Sequence, residues 1–163
     1  LRLWLGDFDY DVVPFDRIME SVHEGEYAAG LLIHEGQLIH PELGLKTLVD
    51  LGKWWKADTG LPLPLGINVI RKDLGPERMA QISRILHKSI EHGLTHRQEA
   101  LDYALEFARG MKRSLADEFV GMYVNDWTLD MGEAGKESIR LFLQRGYEAG
   151  VISTEPKVEF VED

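Results

Sequence analysis

Tyr27-Ala28-Ala29-Gly30-Leu31-Leu32-Ile33 is a nearly continuous apolar run, and it ends directly on His34-Glu35. It lacks the alternation of a half-exposed strand, which predicts a strand buried on both faces. Toward the N-terminus, Phe15, Ile18, Met19 and Val22 recur at i, i+3, i+4 and i+7, one face of a helix, with Gly25 as its stop. Before that helix, Tyr10 to Val13 is a short β-branched run ending at Pro14, a second strand candidate. Strand, helix and strand in succession predict a βαβ unit with parallel strands.

On the other side of the run, Leu45 to Leu51 is a further strand candidate. A short helix is expected around Lys53 to Asp58, closed by Gly60. The stretch Leu61-Pro62-Leu63-Pro64-Leu65-Gly66 cannot be helix, because two prolines fix φ and remove backbone donors. It predicts an extended connector, with Ile67 to Ile70 continuing as a strand.

After Gly75 the pattern turns helical. Pro76 suits a first helical position, and Met79, Ile82, Ile85, Leu86 and Ile90 form a stripe. Thr95 to Gln98 has the spacing of a capping box that opens a new helix, carrying Ala100, Leu101, Ala104, Leu105 and Ala108. Leu115, Phe119, Met122 and Tyr123 mark a third helix. Asp130 with Glu133 marks the start of a fourth, which carries Ile139, Phe142 and Leu143 and stops at Gly150. The tail from Val151 to Val161 is extended or loose. The expectation is therefore α/β up to about Ile70 and α-helical beyond it, with the proline connector where a two-lobed protein returns from one lobe to the other.

The 163 residues carry 28 acidic and 18 basic side chains, for a formal charge of -10. That balance disfavours nucleic acid, whose phosphates need clustered Lys and Arg, and an anionic membrane surface. With 44% hydrophobic residues the chain has the composition of a globular protein that can bury a sizeable core. There is no cysteine, which excludes disulfides and thiolate zinc sites. No apolar run approaches the roughly 20 residues of a membrane span. No signal peptide is visible, and residue 1 is Leu rather than Met, so the chain is expected to lack its true N-terminus.

His34 is the sharpest candidate for chemistry. Ligands in open α/β sheets bind outside the carboxyl ends of strands, which is where the 27–33 run would present it. Histidine titrates near neutral pH, and a well-placed base supplies roughly 10²- to 10⁴-fold in rate. The competing reading is a strand-end histidine that only bonds a nearby carbonyl. Gly66 and Asn68 form a second candidate: glycine lets a backbone approach a ligand closely, and the amide of Asn68 can hold a polar group. A plain hinge is the alternative there. His92 and His96 have the spacing of a helical metal pair, but Gly93 and Thr95 between them predict a broken helix and no shared face. No metal site is expected. His40, before Pro41, is expected in a loop. Trp54 and Trp55 point about 100° apart on a helix, so one packs and the other lies at an edge.

Four ordered blocks are similar to one enzyme family. They are Gly30-Leu31-Leu32-Ile33-His34-Glu35, Asp50-Leu51-Gly52-Lys53-Trp54-Trp55, Thr59-Gly60-Leu61-Pro62-Leu63-Pro64-Leu65-Gly66, and Arg71-Lys72-Asp73-Leu74-Gly75. Weaker echoes continue in Glu99-Ala100-Leu101-Asp102-Tyr103, in Tyr123-Val124-Asn125 and in Leu129-Asp130. Together they resemble the 1,4-dihydroxy-6-naphthoate synthases of the futalosine menaquinone pathway, from about Val12 to the tail.

The resemblance implies a two-lobed, periplasmic-binding-protein-like (type II) α/β fold, here lacking its N-terminal part. Residues 1–66 would be the remainder of the second lobe, ending in the connector. Residues 67–163 would be the return strand and the C-terminal helices that pack on the first lobe. It also implies a cytoplasmic lyase that cleaves cyclic dehypoxanthine futalosine without metal or organic cofactor. The histidine of the family's Ile-His-Glu block, here His34, is its proton acceptor. Beside it, Glu35 is expected to orient the ring or tune its basicity, and stands with Gly66 and Asn68 as the substrate-binding set. The partner is the small-molecule substrate, with a homodimer left open.

Three other readings compete. The related chorismate dehydratase of the same pathway has the same fold, and the Ile-His-Glu block argues against it. A solute-binding protein of a transporter uses that fold most commonly. A ligand-sensing regulator would need a basic DNA-reading element, which these residues do not contain.

Overall fold

The structure is a computed structural model that describes residues 1–107 and 112–161. The expected helix position at Ala108 lies outside the described residues. The chain divides into two compact units, Leu1–Asp50 and Leu51–Asp163.

In the first unit, the short helix α1 (Arg2–Leu5) is followed by a 3-10 turn over Phe15–Arg17 that runs into α2 (Ile18–His23). Gly25 adopts a φ of 79° and turns the chain out of α2, as its position predicts. Residues 27–33 then cross α2 without regular secondary structure. The crossing is tight at Gly30, where an added Cβ would meet Ile18 Cγ2 at 2.5 Å and Val22 Cγ2 at 3.1 Å. The chain next enters α3 (Gly36–Ile39) and a 3-10 turn over His40–Leu43. His40 closes that turn from both sides of its ring, with Nδ1 at 3.0 Å from the Gln37 carbonyl and Nε2 at 2.9 Å from Thr47 Oγ1.

The second unit begins with α4 (Leu51–Thr59), which ends at Gly60 with a φ of 75°. Thr59 Oγ1 donates to the Trp55 carbonyl and accepts from the amide of Leu61, joining the helix end to the connector. Trp55 is fully buried and Trp54 is not, as their angular separation requires. The stretch 61–70, without helix or strand, leads to a 3-10 turn over Lys72–Leu74. Then follow α5 (Pro76–Thr95), α6 (Arg97–Leu105), α7 (Arg113–Tyr123), α8 (Asp126–Leu129) and α9 (Gly132–Glu148). Arg97 ties α6 to α7 through Asp117, with Nε 2.8 Å from Oδ1 and Nη2 2.9 Å from the carbonyl oxygen.

The α/β expectation is overturned. The described residues hold helices and turns and no strand, so neither the βαβ unit nor the two-lobed periplasmic-binding-protein-like sheet is present among them. The four strand candidates at 10–13, 27–33, 45–51 and 67–70 are not strands, and Leu51 instead begins α4. Apolar and proline patterning keeps a segment out of helix, but a strand exists only when a neighbour completes its ladder of amide-to-carbonyl bonds. These segments are open rather than sandwiched: Val12 is 91% and Val69 87% exposed.

The core is correspondingly small. Trp55, Leu101, Ala116 and Ile139 are the buried apolar residues among those described. The long α5 follows its predicted stripe, yet Ile82, Ile85 and Leu86 on that stripe are exposed and no α5 residue is buried. Periodicity shows that a face is apolar and is silent on what covers it.

The helix boundaries correct two further readings. Helix α5 runs through Gly93 as far as Thr95, so His92 and His96 do share a face and their rings stack with centroids 4.0 Å apart. The capping box at Thr95 does not form. Thr95 Oγ1 bonds back to the carbonyls of Glu91 and His92 and closes α5 instead. A capping box forms at Asn125, whose side chain accepts from the Trp127 amide while Thr128 Oγ1 accepts from the Asn125 amide.

Candidate active site

His34 follows the 27–33 segment and stands two residues before the first residue of α3. Its side chain is 12% exposed. Three contacts fix the ring. Phe15, at the entrance to α2, meets it edge-on with ring centroids 5.3 Å apart. The amide of Gly36 donates to Nδ1 at 3.0 Å. Glu35 Oε2 lies 3.5 Å from the same Nδ1, near enough for charge attraction and too far for a full hydrogen bond.

The remaining ring nitrogen, Nε2, is buried and has no hydrogen-bond partner among the described residues. Buried polar atoms are normally paired, and an unpaired one costs free energy that the fold does not recover. Such an atom marks a place where a group from outside can complete the arrangement.

Gly36 is indispensable to this geometry. A Cβ built there would stand 2.6 Å from His34 Cε1, 3.1 Å from Nδ1 and 3.1 Å from Met19 Sδ. Neither Gly36 nor Phe15 was singled out by the sequence. A glycine directly after the His-Glu pair is a signal that could have been used. Phe15 had none, because its helical stripe spoke for packing alone.

Gly66 closes the connector and Asn68 follows it, and both are exposed. An added Cβ at Gly66 would meet nothing within 4 Å, so no protein group crowds that backbone. The connector itself is held firmly at its start. Ser138 on α9, 1% exposed, donates from Oγ to the Pro62 carbonyl at 2.5 Å and accepts from Trp55 Nε1 at 3.1 Å.

His92 and His96 gather no third ligand: no group of three or more His, Cys, Asp or Glu side chains suited to a metal occurs among the described residues. No helix among them is long and apolar enough to cross a membrane.

Residues 1–148 match the menaquinone biosynthesis family. The chain is 38% identical over 161 residues to a 1,4-dihydroxy-6-naphtoate synthase of Thermus thermophilus, covering 99% of this chain and 59% of that protein. It is 34% identical over 157 residues to a protein of the same name from Streptomyces coelicolor, covering 93% of this chain and 56% of that one. The crystal structure of protein AF1704 from Archaeoglobus fulgidus is similar with a TM-score of 0.87 at 40% identity, over 93% of this chain and 57% of that chain. The chain thus spans a little over half the length of each of these relatives.

Proposed function

The chain belongs to the menaquinone biosynthesis family, and from that premise we propose that it forms part of a 1,4-dihydroxy-6-naphthoate synthase in which His34 is the proton acceptor. The substrate is cyclic dehypoxanthine futalosine. His34 removes a proton from it and starts an elimination that releases the aromatic naphthoate and a sugar-derived fragment. The observation that carries this reading is the Nε2 atom of His34, buried and without a partner on a ring that is otherwise held on three sides.

Gly66 and Asn68 belong to the substrate side of the same reading. Both are exposed on a segment whose start is pinned by Ser138, so a backbone amide and a carboxamide are available to polar groups of the ligand. Glu35 is assigned to the neighbourhood of the same ligand. The exposed apolar stripe of Ile82, Ile85 and Leu86 supports packing of the helical part on further sequence such as the longer relatives carry. The enzyme acts in the cytoplasm and uses neither metal nor organic cofactor.

Replacement of His34 by Ala in the complete enzyme tests the assignment. Release of 1,4-dihydroxy-6-naphthoate is expected to fall by about 10²- to 10⁴-fold, the worth of a positioned base, while the thermal unfolding profile stays near that of the parent. Equal rates would reject His34 as the base. Treatment with a chelator is expected to leave turnover unchanged, and loss of activity restored by a divalent ion would reject the metal-free mechanism.

A further inference from the structure

The hydrogen bonds of His34 define where its proton sits. The Gly36 amide can only donate, so Nδ1 carries the lone pair and the single proton of the neutral ring is on Nε2. In that tautomer the imidazole cannot accept a proton at Nε2, because Nε2 already has one. Its one free lone pair is engaged by a backbone amide. The ring is therefore held in the form that is wrong for a base acting through its unpartnered nitrogen.

One neighbour can reverse this. Glu35 Oε2 stands 3.5 Å from Nδ1 on a side chain that is 37% exposed, which leaves it room to close the remaining few tenths of an ångström. A carboxylate accepts and cannot donate, so it favours the tautomer with the proton on Nδ1. We infer that Glu35 is a positioning residue that selects the competent tautomer of His34, in competition with the amide of Gly36.

The exchange balances. Water takes the proton from Nε2 and another water supplies one to Nδ1, with no net change of charge. The Gly36-to-Nδ1 bond is given up, and a charge-assisted bond from Nδ1–H to Glu35 replaces it. Nε2 then holds the lone pair. When it takes the substrate's proton, the resulting imidazolium remains paired with the Glu35 carboxylate. Gly36 and Glu35 thus act as two stops for one proton, and a ligand group that donates to Nε2 favours the Glu35 side.

This inference rests on His34 being the base, and the experiment separates the two claims. The complete enzyme is labelled with 15N-histidine, and the His34 ring shifts are compared in parent and Glu35→Gln, each free and saturated with the product 1,4-dihydroxy-6-naphthoate. Those shifts distinguish a proton on Nδ1 from one on Nε2, a readout that a merely structural role would not move. The parent is expected to carry the proton on Nε2 when free and on Nδ1 when product is bound, and Glu35→Gln to keep it on Nε2 in both. The kcat of Glu35→Gln is expected to fall by at least about 10-fold, because loss of the carboxylate leaves the ring in the wrong tautomer, with KM little changed. A product-bound parent that keeps the proton on Nε2, an unaltered kcat, or a change confined to KM would overturn the inference. If His34→Ala is inactive and Glu35→Gln is fully active, this inference alone falls. If His34→Ala is fully active, the base assignment falls and takes this inference with it.

Discussion

Gly36 does for the candidate site what no other residue type can. Its backbone φ needs no glycine, since it lies at the start of α3, but its missing side chain is the space occupied by the His34 ring. Gly36→Ala should leave the fold standing at a cost of about 1–3 kcal/mol, because the atom that must yield belongs to a rotatable side chain. The ring should turn away from Phe15 and the Gly36 amide. Since a misplacement of about 1 Å can cost on the order of 10²-fold, turnover should drop at least tenfold. Parallel melting curves and steady-state rates check this. A variant with parental turnover would show that the ring geometry seen here is not the working one. At this scale the sequence was informative about His34, whose place after an apolar run singled it out. It was blind to Phe15, which reaches the ring through folding of the chain and not through spacing.

At the scale of elements, the second unit turns on the contact of α4 with α9. Trp55 is fully buried, packs edge-on against Phe142 with centroids 5.4 Å apart, and lies beneath the Arg145 guanidinium at 5.3 Å. Its Nε1–H donates to Ser138, which in turn donates to the Pro62 carbonyl. Ser138→Ala should leave both the indole N–H and that carbonyl without a partner, for a loss of about 1–3 kcal/mol. Trp55→Ala removes the whole aromatic body and should cost about 3–5 kcal/mol. Urea unfolding of the two single variants and the double measures their coupling. Additive losses would mean that the serine bond does not couple the two elements. The capping box at Asn125 is a second such joint, and Asn125→Ala should cost about 1 kcal/mol by the same measurement. The apolar spacing located α9, and the closing glycines Gly60 and Gly150 marked the ends of α4 and α9. The bond across 83 residues of chain separation from Trp55 to Ser138 has no trace in either local pattern.

For the molecule as a whole, the tail that follows α9 bends over residues 151–154 and holds no helix or strand up to residue 161, yet it is not loose. The Phe160 ring lies under Arg140 at 5.0 Å and Lys136 at 5.8 Å, and Glu159 pairs with Lys72 at 2.6 Å, at the far end of the connector. The hydrogen bond and charge of Lys72 hold the Glu159 carboxyl below its ordinary range. A lowered folded pKa means that the tether is complete at pH above the ordinary glutamate range and is lost as pH falls through the lowered value. Hydrogen exchange of residues 155–161, taken relative to the intrinsic rate at each pH, should accordingly rise on acidification in the parent. In Lys72→Ala it should already be high at neutral pH, with the two proteins converging in acid. Equal exchange at neutral pH would show that the pair does not hold the tail. What the sequence determined by itself was local. It determined where the longer helices lie, where glycine and proline end them, that the connector is not helix, and that His34 stands beside Glu35. These follow from backbone sterics and from periodicity within a few residues, and four blocks of neighbouring residues were enough to indicate the family. Tertiary structure alone decided the rest. The extended segments are not strands, because a ladder needs a partner that no segment can specify for itself. The α5 stripe is exposed, because a stripe does not name its cover. The lone pair of His34 belongs to the Gly36 amide, because a ring proton is placed by the bond its neighbour offers.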